Sequence, residues 1–433
     1  MSPDFLKQLK NFHAQLADRP LDPTDPCYVR YLGTADGAGD PIAEIATRID
    51  WSEAASVNLL SGQRGSGKST ELRRLKKLLE DSGCVVFLRD MGDYMSLTTT
   101  IEITDFLLSL MLGLSEAYED KYRKNPANRG YGERLLTFLK SEIRLDEISL
   151  EGGGESKVGV KASLKEDPDF KKRLQEHCKG HVARLVRQAH DFATEVVEEV
   201  RKNECDANKK VVFLVDSIEQ IRGIGANAAE VHRSVENLFS MHADSLHLPL
   251  LHVVYTIPPY LVPLTPGIGR HLGGNIVYQL PSIHVFNRDG NPDRHGLDII
   301  HRIIGCRFAG WRKIFTPEQL DRMALATGGD LRNLFRLIGN TLIKTAGRGV
   351  PVDDEIITEA ENHLRREMLP IAEDDRAWLK KIAASKQSGL QSVAELPRLA
   401  RFFDTSMVLN YRNGDDWYDV HPLLKDNLDS ATA

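Results

Sequence analysis

Along the chain, short unbroken apolar runs alternate with longer stretches in which apolar residues recur every three or four positions. Positions 57–60, 84–89, 211–215, 248–255 and 275–280 are runs of the first kind, bounded by polar or turn residues, and predict strands buried on both faces. Between them lie helical patterns. Leu72, Leu75, Leu78 and Leu79 fall on one helical face, with Arg73, Arg74, Lys76 and Lys77 turned away. Strands interleaved with helices predict an α/β fold with a parallel sheet. After residue 288 the strand pattern stops, and helical periodicity over 297–308, 317–326, 331–346 and 353–366 predicts a compact bundle. The last segment reads as two helices, then strands at 407–412 and 417–420 about an Asn413-Gly414 turn, the order of a winged helix.

These patterns divide the chain into a lead-in (1–50), an α/β domain (51–284), a helical lid (285–370) and a winged-helix domain (371–433). The lead-in carries Pro20, Pro23, Pro26 and Pro41 and reads as an extended segment wrapping the core. An insert at about 101–208 separates the second strand from the third. It starts and ends helical, and its middle, 148–164, alternates apolar and polar residues around glycines, as a hairpin standing off the core would. Such an insert is a candidate partner-binding element or a loosely ordered decoration.

The first strand runs into Gly62, Gln63, Arg64, Gly65, Ser66, Gly67, Lys68, Ser69 and Thr70, which satisfies G-x-x-x-x-G-K-[ST]. Each residue type has a mechanical role. The glycines let the backbone aim amides at phosphate oxygens, Lys68 reaches the β and γ phosphates, and Ser69 is a ligand for Mg2+. The helix that follows adds the positive end of its dipole. A strand before the motif and a helix after it are the context that the chemistry needs, so the motif predicts a P-loop nucleotide site with ATP or ADP and Mg2+ as its cofactors.

A second half of such a site is found where 211–215 ends in Asp216, a carboxylate placed to orient a magnesium shell. Ser217 follows, where a second acid would serve as general base, so Glu219 is the nearest candidate for orienting water and hydrolysis is expected to be slow. Thr256, at the end of the fourth strand, is a candidate γ-phosphate sensor or an ordinary strand-end threonine. Asp90 and Asp93 border the site or form a turn. In the lid, Gly328-Gly329-Asp330 precedes a helix whose first turn carries Arg332, an arginine able to reach phosphates or to lie salt-bridged at the surface.

Composition limits the alternatives. Hydrophobic residues make up 41% of the 433 positions and charged residues 27%, which is enough apolar surface for several cores. The net charge of −6 exerts no overall pull toward polyanions. From Ile371 onward there are eight basic and ten acidic residues, and Asp415, Asp416 and Asp419 sit on the hairpin, so nucleic acid is not the favoured partner of that domain. The first residues lack the apolar core of a secretory signal, and the greasiest stretch, 249–264, is broken by prolines; a cytoplasmic protein without a membrane partner is expected. Cys27, Cys84, Cys178, Cys205 and Cys306 form no C-x-x-C pair and read as reduced, mostly buried thiols.

Taken together, GQRGSGKST, VVFLVDS, GGDLRNLFRL and the terminal WYDVHPLL resemble P-loop ATPases of the AAA+ and STAND type. The resemblance implies a molecular switch in which lid and winged helix close over ADP and rearrange with ATP. It also implies that His421, at the place of a Met-His-Asp-like motif, touches the bound diphosphate, although Pro422 replaces the aspartate. Gly329-Asp330-Leu331-Arg332 is similar to the sensor-arginine region of origin-recognition initiators. The expected function is an ATP-binding, slowly hydrolysing switch in bacterial signalling or antiviral defence, acting through a protein partner and able to form nucleotide-dependent homo-oligomers. The alternatives are an initiator-like DNA-binding ATPase and a nucleotide-locked scaffold.

Overall fold

The computed structural model describes residues 3–33, 39–122, 157–223, 225–265, 267–273, 276–348, 352–413 and 415–429. In chain order the elements begin with α1 (Pro3–Gln15), α2 (Pro41–Trp51), β1 (Val57–Gly62), α3 (Lys68–Asp81) and β2 (Val85–Asp90). Then come α4 (Ile103–Tyr122), α5 (Lys157–Glu166), α6 (Pro168–Cys178), α7 (Val182–Asn203), β3 (Val211–Asp216), α8 (Ala228–Ser240), β4 (Leu251–Ile257) and β5 (Val277–Leu280). The remainder is α9 (Arg294–Arg307), α10 (Pro317–Ala326), α11 (Leu331–Arg348), α12 (Asp354–Arg366), α13 (Glu373–Ser385), α14 (Leu396–Asp404), β6 (Val408–Asn413), β7 (Asp415–Val420) and α15 (Lys425–Asp429). The chain divides into two compact units, one of Ile42–Ser61 and Arg74–Tyr278, the other of Met1–Pro41, Gly62–Arg73 and Gln279–Ala433.

The sheet has the order β2-β3-β4-β1-β5, and the first of these units holds β2, β3 and β4 with all but the last residue of β1 and the first half of β5. The pairs β2–β3, β3–β4 and β4–β1 are parallel, with Phe87 beside Phe213, Phe213 beside Val253 and Val57 beside Val253. Every residue of β1, β3 and β4 is buried, which is why these strands read as continuous apolar runs rather than alternating ones. Beneath the sheet, Phe106 of α4, Phe239 of α8 and Tyr255 of β4 form an aromatic cluster with centroids 6.0–6.4 Å apart. Helix α4 is buried from Ile103 to Ser115, and α7 lays Leu185, Ala189, Phe192, Val196 and Val200 along one face. Arg74 on α3 is buried, contrary to its expected outward direction.

Within the insert, residues 148–156 lie outside the described residues. The second half of the expected hairpin is instead helix α5, capped off from α6 by Asp167, whose carboxylate accepts from the Phe170 amide, with Pro168 at the first helical position. Val160 and Leu164 are both buried. A spacing of four serves a helix as well as the alternation serves a strand, and packing against α4 and α6 decides between them. Lys171 of α6 holds Asp105 of α4 at 3.5 Å in a nearly water-free site, and Gln175 donates to the same carboxylate. Burial pushes Asp105 up and Lys171 down, each offset in part by the other's charge.

In the second unit the N-terminal segment is not extended throughout. Phe5, Leu9, Phe12 and Leu16 recur at helical spacing, so Pro3–Gln15 folds as α1 and packs on α11, with Phe12 stacked on Phe308 at 4.7 Å. The bundle α9–α12 has its own core around Trp311, Phe315, Leu334 and Ile357. Its α10 starts with a capping box between Thr316 and Gln319 and with Pro317. The C-terminal part is α13, α14 and the antiparallel β6–β7 ribbon, in which Tyr411 and Trp417 stack at 4.4 Å. Gly414 at the ribbon's tip lies outside the described residues. Asp419 is buried between Lys386 and Lys425, both at 2.8 Å. All five cysteines are free, with Cys84 and Cys178 buried but Cys205 and Cys306 exposed, so burial is the rule for fewer of them than composition implied. No described helix is long and apolar enough to cross a membrane.

Removing one partner of the buried pair leaves a charge in a dry site. Lys171→Ala is expected to cost about 3–5 kcal/mol, read as a lower urea midpoint; an unchanged midpoint would mean that Asp105 is neutral and the pair contributes nothing.

Candidate phosphate-binding site

The loop that follows β1 is built as the motif requires. Gly62 has no room for a side chain, since a Cβ there would lie 2.8 Å from the Leu280 carbonyl oxygen. Gly65 and Gly67 adopt φ of +90° and +87°, in the left-handed region that favours glycine. Helix α3 then starts at Lys68, so the first-turn amides that have no intrahelical partner open onto the loop. Lys68 is 4% exposed, and its ammonium donates to the carbonyls of Gly62 and Gln63, both at 2.7 Å. Ser66 Oγ donates to the Gln63 carbonyl at 2.8 Å. Ser69 and Thr70 sit half-buried in the first helical turn.

The N-terminal segment grips this loop. Tyr31 donates its hydroxyl to the Ser66 carbonyl at 2.9 Å, the Leu21 amide donates to Thr70 Oγ1 at 3.1 Å, and Tyr28 donates to Glu71 Oε1 at 3.1 Å. Sequence reasoning missed these three contacts. Their one signal is the pair of tyrosines in a proline-rich lead-in.

From the lid, Gly329 is forced by φ +80° and by the Ile283 carbonyl, which a Cβ would meet at 1.9 Å. Asp330 caps α11 by accepting from the Asn333 amide at 2.9 Å, and complete burial pushes its carboxyl up to about 6. Asp330 and the Cβ of Arg332 lie close to Gly65, at 3.1 and 3.0 Å from the position its Cβ would take. The Arg332 guanidinium itself is paired with Asp18 at 2.6 Å. Arg332 lines a cavity of about 450 Å3 together with Arg64, Asn333, Arg336, Asp18 and Glu367. The lid arginine therefore stands beside the phosphate loop, held by an acid of the lead-in.

His421 is fully buried. Its Nδ1 accepts from the Leu423 amide at 3.3 Å, which places the ring proton on Nε2, and Nε2 has no partner among the described residues. Burial pushes its pKa down to about 3, so the ring is neutral.

The sheet unit carries the other candidates. Asp216 ends β3 and is buried, with Oδ1 accepting from the Ser217 amide at 2.8 Å. Ser217 turns at φ +70°, a conformation unusual for a side-chain-bearing residue, and starts the single 3-10 turn Ile218–Gln220 that carries Glu219. Glu219 is buried there. The Thr256 hydroxyl accepts from the Ile218 amide at 3.1 Å and donates to the Val215 carbonyl at 3.3 Å, so it ties β4 to this turn. Asp90 caps the short turn after β2 by accepting from the Gly92 amide at 2.8 Å, the turn role foreseen for it. Among the described residues no group of His, Cys, Asp and Glu could by itself hold a metal ion.

No family model matches the chain, and no curated protein matches it. Solved structures are similar over nearly the whole length. A Walker-type ATPase of Pyrococcus abyssi has 13% identity and a TM-score of 0.42, covering 96% of this chain and 99% of that one. A chain of Drosophila ORC bound to DNA has 10% identity and a TM-score of 0.40, covering 97% and 90%. The Aeropyrum pernix ORC2 protein in its ADPNP-ADP complexes has 11% identity and a TM-score of 0.39, covering 94% and 97%.

A histidine that is neutral in the fold but takes up a proton when unfolded removes stability as pH falls below its ordinary value near 6.5, and the loss continues toward its folded value near 3. Between pH 7.5 and 5 the unfolding free energy of His421→Gln should fall by about 2 kcal/mol less than that of the parent chain. Equal losses in urea titrations at the two pH values would rule out the buried neutral ring.

Proposed function

We propose that the chain is an ATP-binding molecular switch of the AAA+/STAND type that hydrolyses ATP slowly and signals through a protein partner, in bacterial signalling or antiviral defence. The observation that carries this reading is the phosphate loop itself. Left-handed glycines, a helix start and a buried lysine held on the loop's own carbonyls together make an anion cradle with its cation in place.

In this reading Gly62 to Thr70 bind the phosphates through backbone amides, and Lys68 leaves its carbonyls for the β and γ phosphates. The Ser69 hydroxyl and the Asp216 carboxylate would hold Mg2+, which neutralises phosphate charge when bound. Glu219 orients the attacking water. Arg332 exchanges its bond to Asp18 for one to the nucleotide, and Thr256 fixes the turn that bears Glu219. Buried His421 offers its Nε2 proton, which has no partner among the described residues, to the diphosphate.

Slow turnover follows from Ser217, which stands where an acid next to Asp216 would otherwise activate water, and a resident nucleotide then behaves as a state marker rather than a fuel. A protein partner is favoured over DNA because the acids on the ribbon are not balanced by a basic face; Asp415 is exposed at its tip. Nucleotide-dependent self-association fits a switch whose lid carries a reactive arginine.

Lys68→Ala should abolish the calorimetric heat of ATP with magnesium and lower turnover by about 100-fold or more. Glu219→Gln should keep the heat and lower turnover about 10²–10⁴-fold. Heat that survives in Lys68→Ala, or turnover that survives in Glu219→Gln, would each remove the corresponding residue from the mechanism.

A further inference from the structure

Strand β6 has one edge paired with β7 and one without a strand neighbour among the described residues. On that second edge the carbonyl of Val408 and the amides of Asn410 and Arg412 point the same way, as alternate residues of a strand do. Backbone groups out of water must find partners, and here two side chains supply them. The Gln63 carboxamide accepts from the Asn410 amide at 3.0 Å and donates to the Val408 carbonyl, behaving as one residue of a neighbouring strand. His284 Nε2 accepts from the Arg412 amide at 2.8 Å. Ser282 also donates to Gln63 Oε1, at 3.4 Å. Gln63 is 2% exposed, so no water competes for these bonds.

The other end of Gln63 belongs to the phosphate loop. Its carbonyl accepts from Lys68 Nζ at 2.7 Å and from Ser66 Oγ at 2.8 Å. One residue thus carries the phosphate-seeking lysine on its backbone and the C-terminal ribbon on its side chain. The ribbon is joined independently to the lid, where Tyr411 donates to the Gly328 carbonyl at 2.7 Å. A motif position that tolerates any residue for phosphate binding is here committed to a strand more than 340 positions away.

We propose that Gln63 is a latch: phosphates that draw Lys68 from the Gln63 carbonyl shift that peptide, its carboxamide releases β6, and that strand parts from the loop while Arg332 of the lid stays with the nucleotide. The proposal rests on the nucleotide reading above. A charge-assisted bond from Lys68 to phosphate outcompetes its bonds to neutral carbonyls, which gives the shift its direction. By reciprocity, whatever holds the ribbon on the loop weakens nucleotide binding, and a partner that captures the ribbon strengthens it.

Hydrogen exchange of the full-length chain, run beside calorimetry with ATP and magnesium, tests the latch. Loss of two neutral hydrogen bonds corresponds to about 10- to 30-fold faster opening. In the parent chain ATP should accelerate exchange of the Asn410 amide by that factor. In Gln63→Ala exchange should already be fast without nucleotide and insensitive to it. Gln63→Glu keeps the acceptor for Asn410 but loses the donor to Val408, and should lie between; it serves also if the alanine variant does not fold. Heat with unchanged exchange overturns the latch and leaves the nucleotide site standing. Slow exchange in Gln63→Ala overturns it too, and absence of heat overturns both.

Discussion

A loop that offers its amides to an anion has to settle its own carbonyls elsewhere, and this constraint organises the unit to which the loop belongs. Two carbonyls, those of Gly62 and Gln63, are answered by Lys68. A third, of Ser66, is answered by Tyr31 of the lead-in. Gly65 leaves space for the lid residues Asp330 and Arg332 to come close, and Gln63 reaches into β6. Lead-in, lid and ribbon therefore meet the same nine residues, each through a different chemical group. A conformational change in so short a loop cannot leave all three contacts as they are.

Much of the sheet was legible because strands buried on both faces write themselves as apolar runs, and the phosphate loop because glycine, lysine and hydroxyl positions are fixed by chemistry rather than by packing. The lid helices were legible from their spacing. What was not legible follows from tertiary choice. Val160 and Leu164 satisfy both periods, so α5 read as a strand. The prolines at 20, 23 and 26 drew attention away from Phe5, Leu9, Phe12 and Leu16, whose spacing defines α1. The side chain of Gln63 stands at a position the motif leaves open, and its partner strand is remote, so no local pattern announces the contact.

Charge counted along the chain also misled in one respect. The ribbon's three aspartates looked like a single acidic face, yet Asp419 is buried between Lys386 and Lys425 and adds no field at the surface. Asp375 is spent likewise on Arg398 and Arg401. What remains outside, Asp415 and Asp416 beside Arg412, is a small patch. In the reading proposed above, the case against a phosphate backbone as ligand thus rests on the pairing of Arg412 with Asp416 rather than on an excess of acid.

The turn after β3 bears on the slow turnover proposed above. Ser217 at φ +70° costs roughly 1–3 kcal/mol of backbone strain, and the bonds that hold it there are few: Asp216 takes the Ser217 amide and Thr256 takes the Ile218 amide. Gln220 adds a bond to the Ser217 hydroxyl at 2.9 Å. This turn displaces the next acid by two positions and sets Glu219 on a 3-10 turn whose direction is fixed by the same bonds. The place of the Glu219 backbone relative to the strand end is therefore set by the turn. Strain maintained at this one residue thus goes with a fixed geometry of the turn that bears Glu219, which is what the slow switch proposed above would require.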